Sequence, residues 1–107
     1  MKTKRKAARG PTVTVNPKKC TTHPPGEVHA EPKSRRGFVN FNATAPCTIV
    51  FKNSSVFDRA YARLKQGNNK RSTETEHGHT FVLIKGCEDK MPRSLGAASG
   101  PTDIIVP

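Results

Sequence analysis

A chain of 107 residues has room for one small domain and no second core. Only 33% of its residues are hydrophobic and none is Trp, so part of the chain is expected to lie outside any packed core. The formal charge of +11 points to acidic partners, and no apolar run approaches the ~18 residues that a membrane-spanning helix needs.

The charge is uneven. Residues 1–36 hold ten of the nineteen Lys and Arg against two acidic side chains, whereas residues 37–107 carry nine against six. The signal for an acidic macromolecule, nucleic acid or acidic protein, therefore concentrates in the N-terminal third. Its candidate binding residues are Lys2, Lys4, Arg5, Lys6, Arg9, Lys18, Lys19, Arg35 and Arg36. Residues 1–10, "MKTKRKAARG", combine like-charge repulsion with nothing to bury, which predicts a disordered basic tail. Such a tail can bind a phosphate backbone without reading sequence, by releasing condensed counterions. The "PTVTVNPKK" that follows lacks the apolar segment of a signal peptide, so the expected setting is cytoplasmic with reduced thiols.

From residue 11 onward a single domain is expected. "TVTV" at 12–15 alternates, placing Val13 and Val15 inward on a half-buried strand. Prolines crowd residues 16–32, which predicts loop and extended chain, with 27–32 as a short edge strand at most. "GFVNF" at 37–41 and "PCTIVF" at 46–51 read as strands, the second with Cys47, Ile49 and Phe51 on one face. "SVFDRAYARLK" at 55–65 is open between two readings. Phe57, Ala60, Tyr61 and Leu64 have helical spacing with Ser55 and Asp58 as a capping box, while Ala60, Ala62 and Leu64 form one face of a strand. "QGNNK" reads as a turn in either case. "HTFVLIKG" at 79–86 is apolar on both faces and so central, and "TDIIVP" at 102–107 closes the sheet after a small-residue loop from Pro92 to Pro101. Five or six short strands indicate an all-β sandwich or barrel.

The order "VTVNP", "FVNFNATAPCTIVF", "SVF", "LKQG", "TFVLIKGC", "DIIV" resembles the small bacterial cupredoxin-like domain. The resemblance covers residues 12–107 and implies a Greek-key β-sandwich, with the strand reading of 60–65. It also implies where copper ligands would stand. Cys47 occupies the place of the first ligand His, Cys87 that of the ligand Cys or near it, and Met91 follows too closely for the usual loop. A blue-copper centre needs two imidazoles and a thiolate. No His follows His79, so the resemblance is to a relative lacking type-1 copper, and no cofactor is expected. It further implies that Cys47 and Cys87 are neighbours, as a disulfide, as two thiols or as former ligand positions.

Other constellations carry less. His77 and His79, with Cys47 and Cys87, are the alternative metal set for copper or zinc; a solvated His pair is the plainer reading. Cys87 with either histidine is the sole nucleophile–base pairing, and Glu88 and Asp89 would oppose its thiolate. There is no Gly-rich phosphate loop and no acid/base carboxylate pair, so no enzymatic activity is expected. Phe57 and Tyr61 beside Arg59, Arg63 and Lys65 form a candidate stacking patch for nucleic acid.

Overall fold

The computed structural model describes residues 10–91 and 101–107. The tail, with Lys2, Lys4, Arg5, Lys6 and Arg9, and most of the loop from Pro92 to Pro101 lie outside the described residues. Among the described residues nine strands are formed: β1 Thr12–Asn16, β2 Thr21–His23, β3 Gly26–His29, β4 Phe38–Ala43, β5 Cys47–Phe51, β6 Tyr61–Leu64, β7 Gly67–Ser72, β8 Gly78–Ile84 and β9 Thr102–Val106. They make two sheets, one in the order β2-β1-β4-β7 and one in the order β3-β9-β8-β5-β6. The chain is thus an all-β, two-layer, sandwich-like domain.

Alternation decides which face each strand buries. Val13 and Val15 on β1 and Val39 and Phe41 on β4 point inward from the first sheet. Ile49 and Phe51, Val82 and Ile84, and Ile104 and Val106 meet them from β5, β8 and β9 of the second. Phe41, Phe51 and Phe57 form one aromatic cluster across the layers, with ring centroids 4.7 to 6.1 Å apart. β8 is buried on both faces over Val82, Leu83 and Ile84 because it lies in the middle of five strands, as its apolar run predicts.

The ambiguous segment resolves as strand: Tyr61–Leu64 pairs antiparallel with β5, with Ala62 and Leu64 facing inward. No helix forms at 55–65, and Asp58 adopts a left-handed φ of 56° within the preceding turns. Two strands escape the sequence pattern. β7, "GNNKRS", reads as a turn yet pairs with β4 over its whole length. Its inward residue Asn69 replaces an apolar contact with hydrogen bonds: its Nδ2 donates to the carbonyls of Phe41, Lys65 and Gly67, and its Oδ1 accepts from Lys65 N–H. Satisfied in this way, a buried amide is tolerated where an isolated one would cost several kcal/mol, about 2–7. β2 is the other. Its buried Thr22 accepts a 2.9 Å hydrogen bond from Thr102 N–H, while Thr102 Oγ1 donates to the Pro24 carbonyl at 2.6 Å, tying the first sheet to β9 of the second.

Met91 is a core residue. Its Sδ lies 3.3 Å from Ile84 N–H, and its side chain is 1% exposed. At the opposite end of the domain, Thr73 Oγ1 lies 2.9 Å from the Glu31 carbonyl and 3.1 Å from that of Gly37. A Cβ on Gly37 would lie 1.8 Å from the Glu31 carbonyl oxygen, so backbone meets backbone there with no room for a side chain. Gly37→Ala is expected to cost about 3 kcal/mol through this overpacking, read as a shift in the urea midpoint at constant m-value.

Candidate functional site at the cysteine end

β1 and β4 run parallel, so the end of β1 and the start of β4 lie at opposite ends of their sheet. That fact separates the candidate basic residues into two groups. Lys18 and Lys19 follow β1, whereas Arg35 and Arg36 precede β4. They do not form one surface.

The Lys18–Lys19 end is also the cysteine end. A disulfide joins Cys20 to Cys87 across 67 residues of sequence, with a Cα–Cα distance of 5.4 Å. Cys87 is thus paired with Cys20, not with Cys47, and the expectation of reduced thiols is corrected with it. The pairing was not legible because Cys20 reaches Cys87 only when the β1–β2 turn folds over the end of β8. Both bridged sulfurs lie 3.7 Å from the Pro17 carbonyl oxygen on that turn. Cys47 remains free and half-buried. Burial pushes its thiol above the ordinary range by desolvating the thiolate. All three cysteines line one depression of about 510 Å³, together with Lys18, Lys85 and Lys90; among the described residues no carboxylate lines it. Cys47 and Cys87 therefore share one end of the domain, as the resemblance implies, though they are not bonded to each other.

Lys65 joins this end, since Leu64 pairs with Cys47. Glu88 and Asp89 are its acidic residues, and Glu88 is engaged by accepting a 2.8 Å hydrogen bond from Gly86 N–H. Among the described residues the end thus carries Lys18, Lys19, Lys65, Lys85 and Lys90 against two carboxylates, and all five lysines are exposed.

The Arg35–Arg36 end is closer to charge balance. A short 3₁₀ turn, Lys33–Arg35, presents both arginines, and Glu76 clamps it by accepting from Ser34 Oγ at 2.6 Å and Ser34 N–H at 2.8 Å. The Ser34 hydroxyl is the main cause holding the Glu76 carboxyl below its usual range; Lys33 and His77 add to it. Lys33 lies 3.4 Å from Glu74, and Arg35 3.9 Å from Glu31. Arg36, in the left-handed region at φ 58°, is exposed. Pro11 accepts from Asn40 N–H at 2.9 Å, so the chain enters β1 at this same end.

The alternative metal set is not assembled. His77 and His79 stand at the start of β8 and Cys87 beyond its end, a strand of seven residues between them. That is roughly 20 Å of rise. His77 Nδ1 lies 3.1 Å from the Pro107 carbonyl, and His79 Nδ1 is 3.0 Å from Asp103 Oδ1. Among the described residues no three His, Cys, Asp or Glu side chains come together as a metal-holding group. The same separation removes the Cys87–His nucleophile pair. The stacking patch is corrected as well: Phe57 is 3% exposed in the core, leaving Tyr61, 52% exposed, with Val50, Arg63 and Lys85 around a shallow depression.

Because desolvation raises the Cys47 thiol, alkylation by iodoacetamide should be several-fold slower in the folded protein at pH 8 than in a Cys47 peptide, the gap narrowing as pH rises. Equal rates at pH 8 would show that the thiol is fully solvated. No model of a known protein family matches the chain, and neither does any curated protein.

Proposed function

We propose that this protein is a small, non-enzymatic interaction module that binds an acidic macromolecule largely through charge, on a Greek-key, cupredoxin-like scaffold without a type-1 copper site. The observation that carries the reading is the lysine end: Lys18, Lys85 and Lys90 around a depression with no lining carboxylate among the described residues. A cation cluster in excess over its local carboxylates concentrates polyanions and speeds their capture. The N-terminal basic residues Lys2, Lys4, Arg5, Lys6 and Arg9 join the chain at the other end, where Arg35 and Arg36 stand. Among the described residues the candidate cations thus fall at two separate ends, Lys18 and Lys19 at one and Arg35 and Arg36 at the other.

Two features support the copper-free part of the reading. Cys87, in the place of the ligand thiolate, is spent in a disulfide. The candidate imidazoles His77 and His79 belong to the far end of β8. The bridge also weighs on the setting: stable disulfides belong to oxidising compartments, whereas the cytoplasmic expectation rested on the lack of a visible signal peptide, with reduced thiols as its consequence. Among the described residues no helix is long and apolar enough to cross a membrane.

Binding to double-stranded DNA and to polyglutamate, measured in parallel across salt, tests the proposal and separates nucleic acid from acidic protein as the partner class. The slope of log K against log salt on DNA should be about −0.9 per neutralised phosphate. Replacing Lys18, Lys85 and Lys90 by Gln should flatten it by up to about 2.7, and deleting residues 1–10, which hold five cations, by up to about 4.5. Binding to either polyanion that ignores salt, or that both variants leave unchanged, would overturn the reading.

A further inference from the structure

We propose that the open edge of β6 is a docking site for an extended acidic segment of a partner protein, which adds to the second sheet as a further strand. Two backbone hydrogen bonds fix which groups of β6 face outward. Phe51 N–H donates to the Ala60 carbonyl at 2.8 Å, and Lys85 N–H donates to the Thr48 carbonyl at 2.9 Å. The first turns the backbone of Phe51 toward β6, and the second turns that of Thr48 toward β8. By the alternation of an antiparallel ladder, Cys47 and Ile49 also exchange bonds with β6, through Leu64 and Ala62. Tyr61 and Arg63 therefore turn their N–H and C=O groups away from β5, and β6 is the last strand on its side of the sheet. Arg71 Nη2 donates to the Arg63 carbonyl at 3.0 Å, which fills one of these outward positions. Tyr61 N–H, Tyr61 C=O and Arg63 N–H have no backbone partner among the described residues.

The other edge strands offer less. β2 and β3 have three and four residues, the connection between them is Pro24–Pro25, whose nitrogens donate nothing, and β3 carries an exposed Glu27. β7 presents Asn68, Lys70 and Ser72 on its outer face, with no apolar anchor. β6 presents Tyr61, 52% exposed, which lines a depression of about 480 Å³ with Thr48, Val50, Arg63 and Lys85. In strand addition the main-chain bonds supply affinity and such side-chain pockets supply selectivity.

Charge identifies the occupant. Arg59 and Lys65 bracket β6 in sequence, Arg63 stands on its outer face, Lys85 lines the depression beside it, and Arg71 reaches its edge from β7. The carboxylates nearby are Asp58 in the preceding turn, Glu88 in the depression, and Glu74 in a second depression with Arg59, Lys70 and Arg71. Glu88 accepts from Gly86 N–H, and Glu74 lies 3.4 Å from Lys33. The excess of cations selects an acidic strand. It also disfavours a second copy of this chain. Pairing two β6 edges would set Arg59, Arg63 and Lys65 of one copy against the same residues of the other, and like charges across a strand pair are destabilising. A nucleic acid satisfies the cations but brings no row of alternating N–H and C=O groups to match the edge.

The site is distinct from the lysine end. Lys18 and Lys90 line the cysteine depression, Tyr61 and Arg63 line the one beside β6, and Thr48 and Lys85 border both. Strand addition at β6 depends on backbone groups, whereas polyanion capture by the lysine cluster depends on charge alone, so each stands or falls without the other.

The test uses the full chain and a terminally blocked hexapeptide of alternating glutamate and valine, with amide hydrogen exchange read by NMR. At saturating peptide, exchange at the Tyr61 and Arg63 amides is expected to slow by about tenfold or more. Methylating the backbone nitrogens of all the glutamates, or of all the valines, keeps the side chains and charge while removing alternate donors. At least one of these two versions is expected to bind about tenfold more weakly or worse. Arg63→Glu, at an exposed position, is expected to weaken the parent peptide about tenfold. Joint replacement Lys18→Gln and Lys90→Gln is expected to leave the protection of Tyr61 and Arg63 in place. Peptide binding that leaves these two amides exchanging as in the free protein, methylated versions that both bind as well as the parent, or an Arg63→Glu variant that binds like the unaltered chain would each overturn the proposal. So would an oligothymidylate that protects the same two amides as strongly as the peptide, which would make nucleic acid the occupant.

Discussion

The covalent bond between Cys20 and Cys87 joins the β1–β2 turn of one sheet to the end of β8 in the other, 67 residues away. Closing a loop of that length removes entropy from the unfolded chain worth about 4 kcal/mol. Small domains have a total stability of about 5–15 kcal/mol, and this one has few apolar residues with which to build it. The bridge also fixes the geometry of the cationic end. It holds Lys18 against Lys85 and Lys90, so the electrostatic character of that end follows from a redox bond.

Elsewhere, side-chain polar groups do the work that a larger apolar core would do. Asn69 satisfies three carbonyls and one N–H around the β6–β7 connection. Thr22 and Thr102 join the sheets near the cysteine end, and Thr73 holds the chain at Glu31 and Gly37 at the other. Each of these groups is buried, so losing a partner would leave an unsatisfied donor or acceptor where water cannot replace it. The fold is therefore specified at its ends by hydrogen bonds and a disulfide, and in its middle by Val, Ile and Phe packing.

Charge is distributed by the same architecture. The lysines at the cysteine end face little local neutralisation, while Lys33 and Arg35 at the other end stand beside Glu74 and Glu31. Pairs as exposed as these contribute little to stability, about 0–1 kcal/mol each. Their effect is to reduce the field that the arginine end presents to an approaching polyanion, which makes the lysine end the stronger electrostatic feature of the described residues.

The sequence by itself determined the all-β class and most of the core. Period-two alternation at Val13 and Val15, and at Ile49 and Phe51, identifies buried faces without reference to any neighbour, and the two-faced apolar run of β8 marks a central strand. What it could not determine were features whose stabilisation is non-local. β7 is a strand because Asn69 finds carbonyls supplied by β4 and by the β6–β7 connection, and nothing in "GNNKRS" announces such partners. Cys47 and Cys87 line one depression at the same end of the domain, but the partner of Cys87 was decided by a turn 67 residues upstream. Likewise, Lys18 and Arg36 look alike in a charge count, yet parallel pairing of β1 with β4 sends them to opposite ends. Local periodicity is written into the chain residue by residue, whereas register and crossover geometry exist only once distant strands have paired.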